Sequence, residues 1–208
     1  SHQSQRDITA AFDRPAQHIR VIPNGVDANI FKPLDSIARS PFRLITTASS
    51  DQPLKGLSVL LRALAQLRSE FSELHLIVIG KLKENGETQK ELQALNLQDV
   101  VQFKSGISNQ ELVEEYAQAC IAVVPSLYEG FGLPAAEAMA CAVPLICSDG
   151  GALPEVVGNA ARLVCAGNVD DLQNALRELL NDEKAREQLG AQGRAHILQQ
   201  LTCDCVGK

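Results

Sequence analysis

Two glutamates, Glu129 and Glu137, bracket the segment Gly130-Phe-Gly-Leu-Pro-Ala-Ala136, whose residue types suit a close backbone approach to a ligand. Gly130 and Gly132 flank Phe131, so the chain can turn tightly without Cβ interference, and Pro134 suits the first turn of a helix. Amide N–H groups at such a helix start face outward and carry partial positive charge, which favours a phosphate-bearing ligand. Glu137, one turn into that helix, can accept both hydroxyls of a ribose diol, and Glu129 on the preceding loop can reach a sugar. The same residues also fit a plain Gly-x-Gly turn followed by acidic groups placed for the helix dipole. Upstream, Lys55-Gly56 precedes an apolar-periodic stretch. A lysine at a helix start works against the dipole, which argues for a purpose other than helix stability.

These residues need a frame. From Pro41 onward, short apolar runs alternate with longer segments of helical periodicity. The runs are Phe42 to Thr47, Leu74 to Ile79, Val100 to Phe103, Ile121 to Val124, Leu145 to Cys147 and Arg162 to Val164, each read as a buried parallel strand. Between them, apolar residues at helical spacing, clearest in Leu57, Leu60, Leu61, Leu64 and Leu67 and in Leu172, Leu176, Leu179 and Leu180, read as crossover helices. The alternation predicts an α/β fold, a Rossmann-like doubly wound parallel sheet whose ligands bind beyond the carboxyl ends of the strands. Ser4 to Phe12 and Asp182 to Gln200 read as further helices. Ile19 to Ile22 reads as a strand ending in the turn Pro23-Asn24-Gly25. The expected division is a boundary segment over residues 1–18, one domain over 19–181 and a truncated helical segment over 182–208.

A net charge of −6 argues against nucleic acid, which is bound through clustered Lys and Arg, without excluding a single diphosphate. No apolar run approaches the roughly 18 residues of a membrane span. The six cysteines fall mostly within apolar runs and read as buried reduced thiols; Cys203-x-Cys205 lacks further ligands for zinc. The four histidines are scattered without a triad pattern, and no metal constellation is predicted. No secretory signal stands at Ser1, so a cytoplasmic location is expected.

Tyr128-Glu-Gly-Phe-Gly-Leu-Pro-Ala-Ala-Glu137 resembles the E-x7-E motif of the retaining GT-B transferases called glycosyl transferases group 1, of the family 4 type, in the form E-G-F-G-L-P-x-x-E. The resemblance implies that Glu129 contacts donor-sugar hydroxyls, that Gly130, Phe131, Gly132 and Leu133 contact sugar and phosphates, and that Glu137 holds the ribose. Companion segments occur in family order. Val21-Ile-Pro-Asn-Gly-Val-Asp27, with Phe31 and Pro33, resembles the P-N-G-V-D segment near the interdomain cleft, bringing in Asn24 and Gly25. Val78-Ile-Gly80 resembles the glycine-ended strand beside the nucleotide, Val101-x-Phe103-x-x-Gly106 the segment flanking the base, and Gly150-Gly151-x-x-Pro154-Glu155 a loop after the next strand.

One departure bears on catalysis. The family has G-R-x-x-x-x-K-G where this chain has Ser49-Ser-Asp-Gln-Pro-Leu-Lys-Gly56: Lys55 is kept, and Ser50 stands where a second cation is expected, with Asp51 adding negative charge. Losing one preorganised donor to a developing charge costs about 3 to 4 kcal/mol, roughly 10² to 10³ in rate. Either Ser50 and backbone amides suffice, a cation comes from elsewhere, or turnover is poor. Lys55 and Glu129 are the expected catalytic pair. The implied activity is transfer of a sugar from a UDP-, GDP-, ADP- or TDP-sugar to an acceptor hydroxyl with retention, without cofactor or metal, in partnership with an acceptor-binding N-terminal domain. The full-length enzyme has room for peripheral membrane association. Ser4-x-x-x-Asp7-Ile8 resembles the interdomain boundary, and Leu201 to Val206 the start of a returning helix with Cys203 where an aromatic is common, so the chain is expected to be a donor domain that binds nucleotide without efficient turnover. Rival readings are a non-catalytic nucleotide-sugar binding module and a GT-B sugar-nucleotide epimerase. A dinucleotide dehydrogenase is disfavoured because no G-x-G-x-x-G follows the first strand of the repeat.

Overall fold

The computed structural model describes residues 1–203. Its centre is a six-stranded, all-parallel sheet of β1 (Arg43–Thr47), β2 (His75–Ile79), β3 (Val101–Lys104), β4 (Ile121–Val124), β5 (Leu145–Ser148) and β6 (Arg162–Val164), in the order β3-β2-β1-β4-β5-β6. The order reverses direction between β1 and β4, whose registers pair Leu44 with Ile121 and Ile45 with Ala122. A crevice therefore opens where the loops leaving these two strands diverge.

Side chains alternate between two faces, and both are buried. Leu44, Leu76, Val78, Ile121, Val123 and Ile146 face one core, completed by α2 (Leu57–Leu67), α3 (Glu87–Ala94) and α7 (Val169–Asn181). Ile45, Ile77, Ala122, Val124, Leu145 and Cys147 face the other, covered by α4 (Asn109–Gln118), α5 (Leu133–Ala140), α6 (Leu153–Val157) and α8 (Glu183–Gln200). Period-two burial on both faces is what makes these strands read as continuous apolar runs. Helix α1 (His2–Phe12) contributes no buried residue.

Local chemistry sets the helix ends. Ser108 and Glu111 form a reciprocal capping box on α4, with Glu111 N–H to Ser108 Oγ at 3.3 Å and Ser108 N–H to Glu111 Oε2 at 2.7 Å. Asn168 and Asp182 cap α7 and α8 with bonds to the Asp171 and Ala185 amides at 3.1 and 2.9 Å. Arg39 donates to the carbonyls of Tyr116, Ala119, Cys141 and Ala142, closing the carboxyl ends of α4 and α5 together. Helix α8 lies close on α5 because a Cβ at Gly190 would stand 2.4 Å from Ala142 O and one at Gly193 3.3 Å from Met139.

Two expectations need correction. Ile19 to Ile22 pairs with no strand: the Ile19 carbonyl accepts from the Gln5 side chain at 2.7 Å, and the neighbourhood's β contact is an isolated bridge between Val26 and Thr202. Local β-propensity without a neighbouring edge does not make a ladder. Among the cysteines, Cys120, Cys141 and Cys147 are buried free thiols, and burial pushes Cys141 and Cys147 up to about 12, whereas Cys165 and Cys203 are exposed. Cys205 and the second half of the Leu201 to Val206 segment lie outside the described residues. No helix among the described residues is long and apolar enough to cross a membrane.

Leu64 is fully buried between the sheet and α7. Leu64→Ala is expected to lower unfolding free energy by about 2 to 5 kcal/mol through lost transfer energy and the cavity left behind, read as a lower urea midpoint at unchanged slope.

Candidate functional site

The loop leaving β1 ends in a short turn, Pro53–Lys55, closed by Lys55 N–H to Gln52 O at 3.0 Å. Gly56 follows in the left-handed region, and its backbone passes so close to the loop leaving β4 that a Cβ would fall 1.9 Å from Pro125 O. Leu127 N–H donates to Leu54 O at 2.8 Å, tying the two loops. That approach delivers the Lys55 ammonium to Glu129, with Nζ to Oε1 at 2.6 Å. Ser126 Oγ donates to the same carboxylate oxygen at 2.9 Å. Glu129 is buried, at 9% exposure, while the Lys55 side chain keeps 32%. A buried carboxylate requires such compensation.

The loop leaving β5 braces the same point. Ala152 N–H donates to Glu129 O at 2.8 Å, and a Cβ at Gly151 would stand 2.3 Å from that carbonyl. Gly132, at φ +98, starts α5 without a side-chain cap, and Pro134 in the first turn has no N–H to satisfy. The amides of Phe131, Gly132 and Leu133 donate to no group among the described residues. Three amides without an acceptor among the described residues, close in the chain to the carboxylate that holds Lys55, suit an anion.

Glu137 differs from Glu129. It sits half-buried one turn into α5, and no cation or donor is paired with its carboxylate among the described residues. Burial pushes its carboxyl up to about 7. Tyr116, fully buried nearby, has its hydroxyl raised first by burial and then by the Glu137 charge.

The remaining predicted residues are distributed along the carboxyl edge of the sheet. Gly80 follows β2, where a Cβ would fall 2.2 Å from Ala48 O, and Phe103 lies half-buried in β3. Ser50 is buried, and its hydroxyl accepts the Lys83 amide at 2.8 Å. Asp51 does not face the anion seat as a free charge. Its carboxylate accepts from the Thr88 amide at 2.9 Å and the Thr88 hydroxyl at 3.0 Å at the start of α3, and the Thr88 amide is the main cause of its lowered pKa. Gly25 packs against the backbone of Cys203, its Cβ position 2.8 Å from Cys203 Cα, and Val26 N–H donates to Leu201 O at 2.8 Å; no hydrogen bond among the described residues links Asn24 or Gly25 to the Lys55–Glu129 pair.

Four residues, Ser126, Ser1, Ser4 and Glu155, make contacts here that the sequence reading did not assign them. Ser126 carries a signal, the Ser-x-x-Glu spacing to Glu129. Ser1 and Ser4 hydroxyls donate to Gly130 O at 2.8 and 3.2 Å, laying the start of α1 against the site. Glu155 accepts the His2 amide at 2.9 Å and the Gln3 amide at 3.3 Å. A separate concavity lies at the opposite, amino edge of the sheet, lined by Arg39, Cys120, Pro144 and Arg186 among others. Both its arginines are committed to carbonyls at helix ends. No cluster of three His, Cys, Asp or Glu side chains among the described residues is arranged for a metal.

The family model described as glycosyl transferases group 1 matches residues 35–196. The chain belongs to that family. It is 43% identical over 209 residues to the MMP alpha-(1->4)-mannosyltransferase of Mycolicibacterium hassiacum, covering 99% of this chain and 50% of the relative. Sucrose-phosphate synthase from Thermosynechococcus elongatus superposes with a TM-score of 0.84 at 27% identity, over 99% of this chain and 54% of the synthase. The Anabaena protein Alr3699/HepE, solved with UDP-glucose, gives 0.88 at 22% identity over 99% of this chain and 59% of its own, a likeness of fold. The chain thus spans about half the length of these relatives, and its sheet is the Rossmann-like half of a GT-B glycosyltransferase, consistent with a C-terminal domain.

Glu137 gives the site a pH signature in the ligand-free chain. Between its ordinary 4.5 and about 7, the folded protein keeps a proton that the unfolded chain has lost. The stability associated with this group therefore falls as pH rises through that window and levels off above it. Glu137→Gln removes the penalty, so its melting temperature is expected to match wild type near the bottom of the window and exceed it above the top. A difference independent of pH contradicts the desolvated-carboxylate assignment.

Proposed function

We propose that this chain is the donor-binding half of a retaining glycosyltransferase that moves a hexosyl group from a nucleoside-diphosphate sugar to an acceptor hydroxyl. The observation that carries this reading is the Lys55–Glu129 pair, 2.6 Å apart at the divergence of the β1 and β4 loops and beside the unsatisfied amides of α5. A diphosphate bound there takes over the Lys55 ammonium, with the amides of Phe131 to Leu133 on its other oxygens. Glu129, released from Lys55, accepts hydroxyls of the donor sugar. Glu137, whose carboxyl burial pushes up to about 7, ionises against the two ribose hydroxyls.

In the reaction the bond from the sugar's anomeric carbon to the diphosphate oxygen breaks and its electron pair stays on the phosphate. Lys55 and the amides stabilise that growing charge. The acceptor oxygen bonds to the same face of the anomeric carbon and passes its proton to the departing phosphate oxygen, which preserves configuration. The 43% identity to a mannosyltransferase supports mannose as the transferred sugar. The acceptor sits on the half of the enzyme that this chain does not span, so these 208 residues bind donor without efficient transfer. Ser50 in place of a cation favours one second reading, a nucleotide-sugar binding module without turnover.

Calorimetric titration of the chain with UDP, GDP, ADP and TDP and the matching nucleosides tests the site. Lys55→Ala is expected to weaken the preferred diphosphate by about 10- to 100-fold and its nucleoside little, since a hydrogen bond to a charged group is worth about 1.5 to 3 kcal/mol. Glu137→Ala is expected to weaken both, and unchanged affinity removes the ribose assignment. Binding of GDP- or UDP-mannose by the full-length enzyme without donor consumption favours the module.

A further inference from the structure

We propose that Lys81 supplies the second positive charge of the anion seat, the charge that Ser50 lacks. The inference rests on the nucleoside-diphosphate reading above and deepens it. It begins with the backbone. Ala48 N–H donates to Ile79 O at 3.1 Å, Ser50 N–H to Lys81 O at 3.2 Å, and Lys83 N–H to Ser50 Oγ at 2.8 Å. The chain leaving β2 therefore runs bonded alongside the chain leaving β1, and Gly80 permits it, because any Cβ there would meet Ala48 O at 2.2 Å. Residues 81–83 are held against Ser50 by main-chain geometry, and Ser50, Lys81, Leu82, Lys83 and Glu84 line one open cavity beside it.

Charge accounting then separates the two lysines. Lys83 Nζ lies 3.9 Å from the Asp51 carboxylate. Asp51 is itself satisfied at the start of α3 by Thr88. Lys81, exposed and adjoining Ser50, makes no side-chain hydrogen bond or ion pair among the described residues. Its flexible stem and compact ammonium suit a point-charge partner for phosphate. Glu84 on the same rim is acidic, and it faces the cavity from beyond Lys83 in the chain. The position vacated on the loop after β1 is thus served from the loop after β2, across a bonded strand pair.

The test is calorimetry on the full 208-residue chain with Lys81→Ala, Lys81→Arg and Lys83→Ala, using UDP, GDP, ADP, TDP, their nucleosides and inorganic pyrophosphate. Lys81→Ala is expected to weaken pyrophosphate and the preferred diphosphate about ten-fold and to leave the nucleoside unchanged. Lys81→Arg should stay within about two-fold of wild type, and the salt dependence of binding should become shallower in Lys81→Ala. Diphosphate affinity unchanged in Lys81→Ala, with Lys55→Ala still impaired, overturns this inference and leaves the nucleotide reading standing. An equal loss for nucleoside and diphosphate, or a larger loss in Lys83→Ala, overturns it as well. Wild-type chain that binds none of the four diphosphates removes the nucleotide reading and the Lys81 assignment with it.

Discussion

Two loops with like-directed strands behind them meet at the Lys55–Glu129 ion pair, and the carboxyl edge of the sheet is organised around that 2.6 Å contact. The pair forms because β1 and β4 are neighbours in the sheet, which puts the loops after residues 47 and 124 side by side. Glycines 56 and 151 let the backbones approach to distances no Cβ would tolerate. Glu129 is thereby kept buried, with Ser126 and Lys55 on one oxygen. Such a pair is also exchangeable: the lysine is the more exposed partner, and an arriving anion offers it an equivalent contact.

The two glutamates of the motif are set apart by environment rather than by type. Glu129 is satisfied by a cation and a hydroxyl before any ligand arrives. Glu137 is half-buried with neither, and its carboxyl is pushed up to about 7. Glu115, by contrast, is buried and paired with Arg43 and Lys104, so the unpaired Glu137 is the carboxylate on which the proposed ribose contact rests. The same contrast applies to cations. Arg39, Arg186 and Arg194 are spent on helix-end carbonyls, while Lys81 beside Ser50 is not.

Much of the fold was legible because both faces of the sheet are buried, and the strands stand out as apolar runs between helical periods. The six strands lie where those runs are, to within about a residue; β1 starts one residue later than read because Phe42 adopts a left-handed conformation. Helix α3 was not singled out, since Thr88 and Leu92 alone are buried on it. Ile19 to Ile22 misled because strand propensity is local and strand pairing is not. At the site, residue types were readable but partnerships were not. The contact of Lys55 with Glu129, and the turning of Asp51 onto Thr88, depend on strand order and loop geometry, which spacing does not encode.

The most direct measurement of the central claim is a crystal structure of the chain with its preferred nucleoside diphosphate bound. The account predicts the diphosphate against the amides of Phe131 to Leu133, the ribose diol on Glu137, and the Lys55 ammonium moved from Glu129 onto a phosphate oxygen. A nucleotide lodged elsewhere, or bound there with Lys55 and Glu129 still paired and no phosphate oxygen on the lysine, would contradict it.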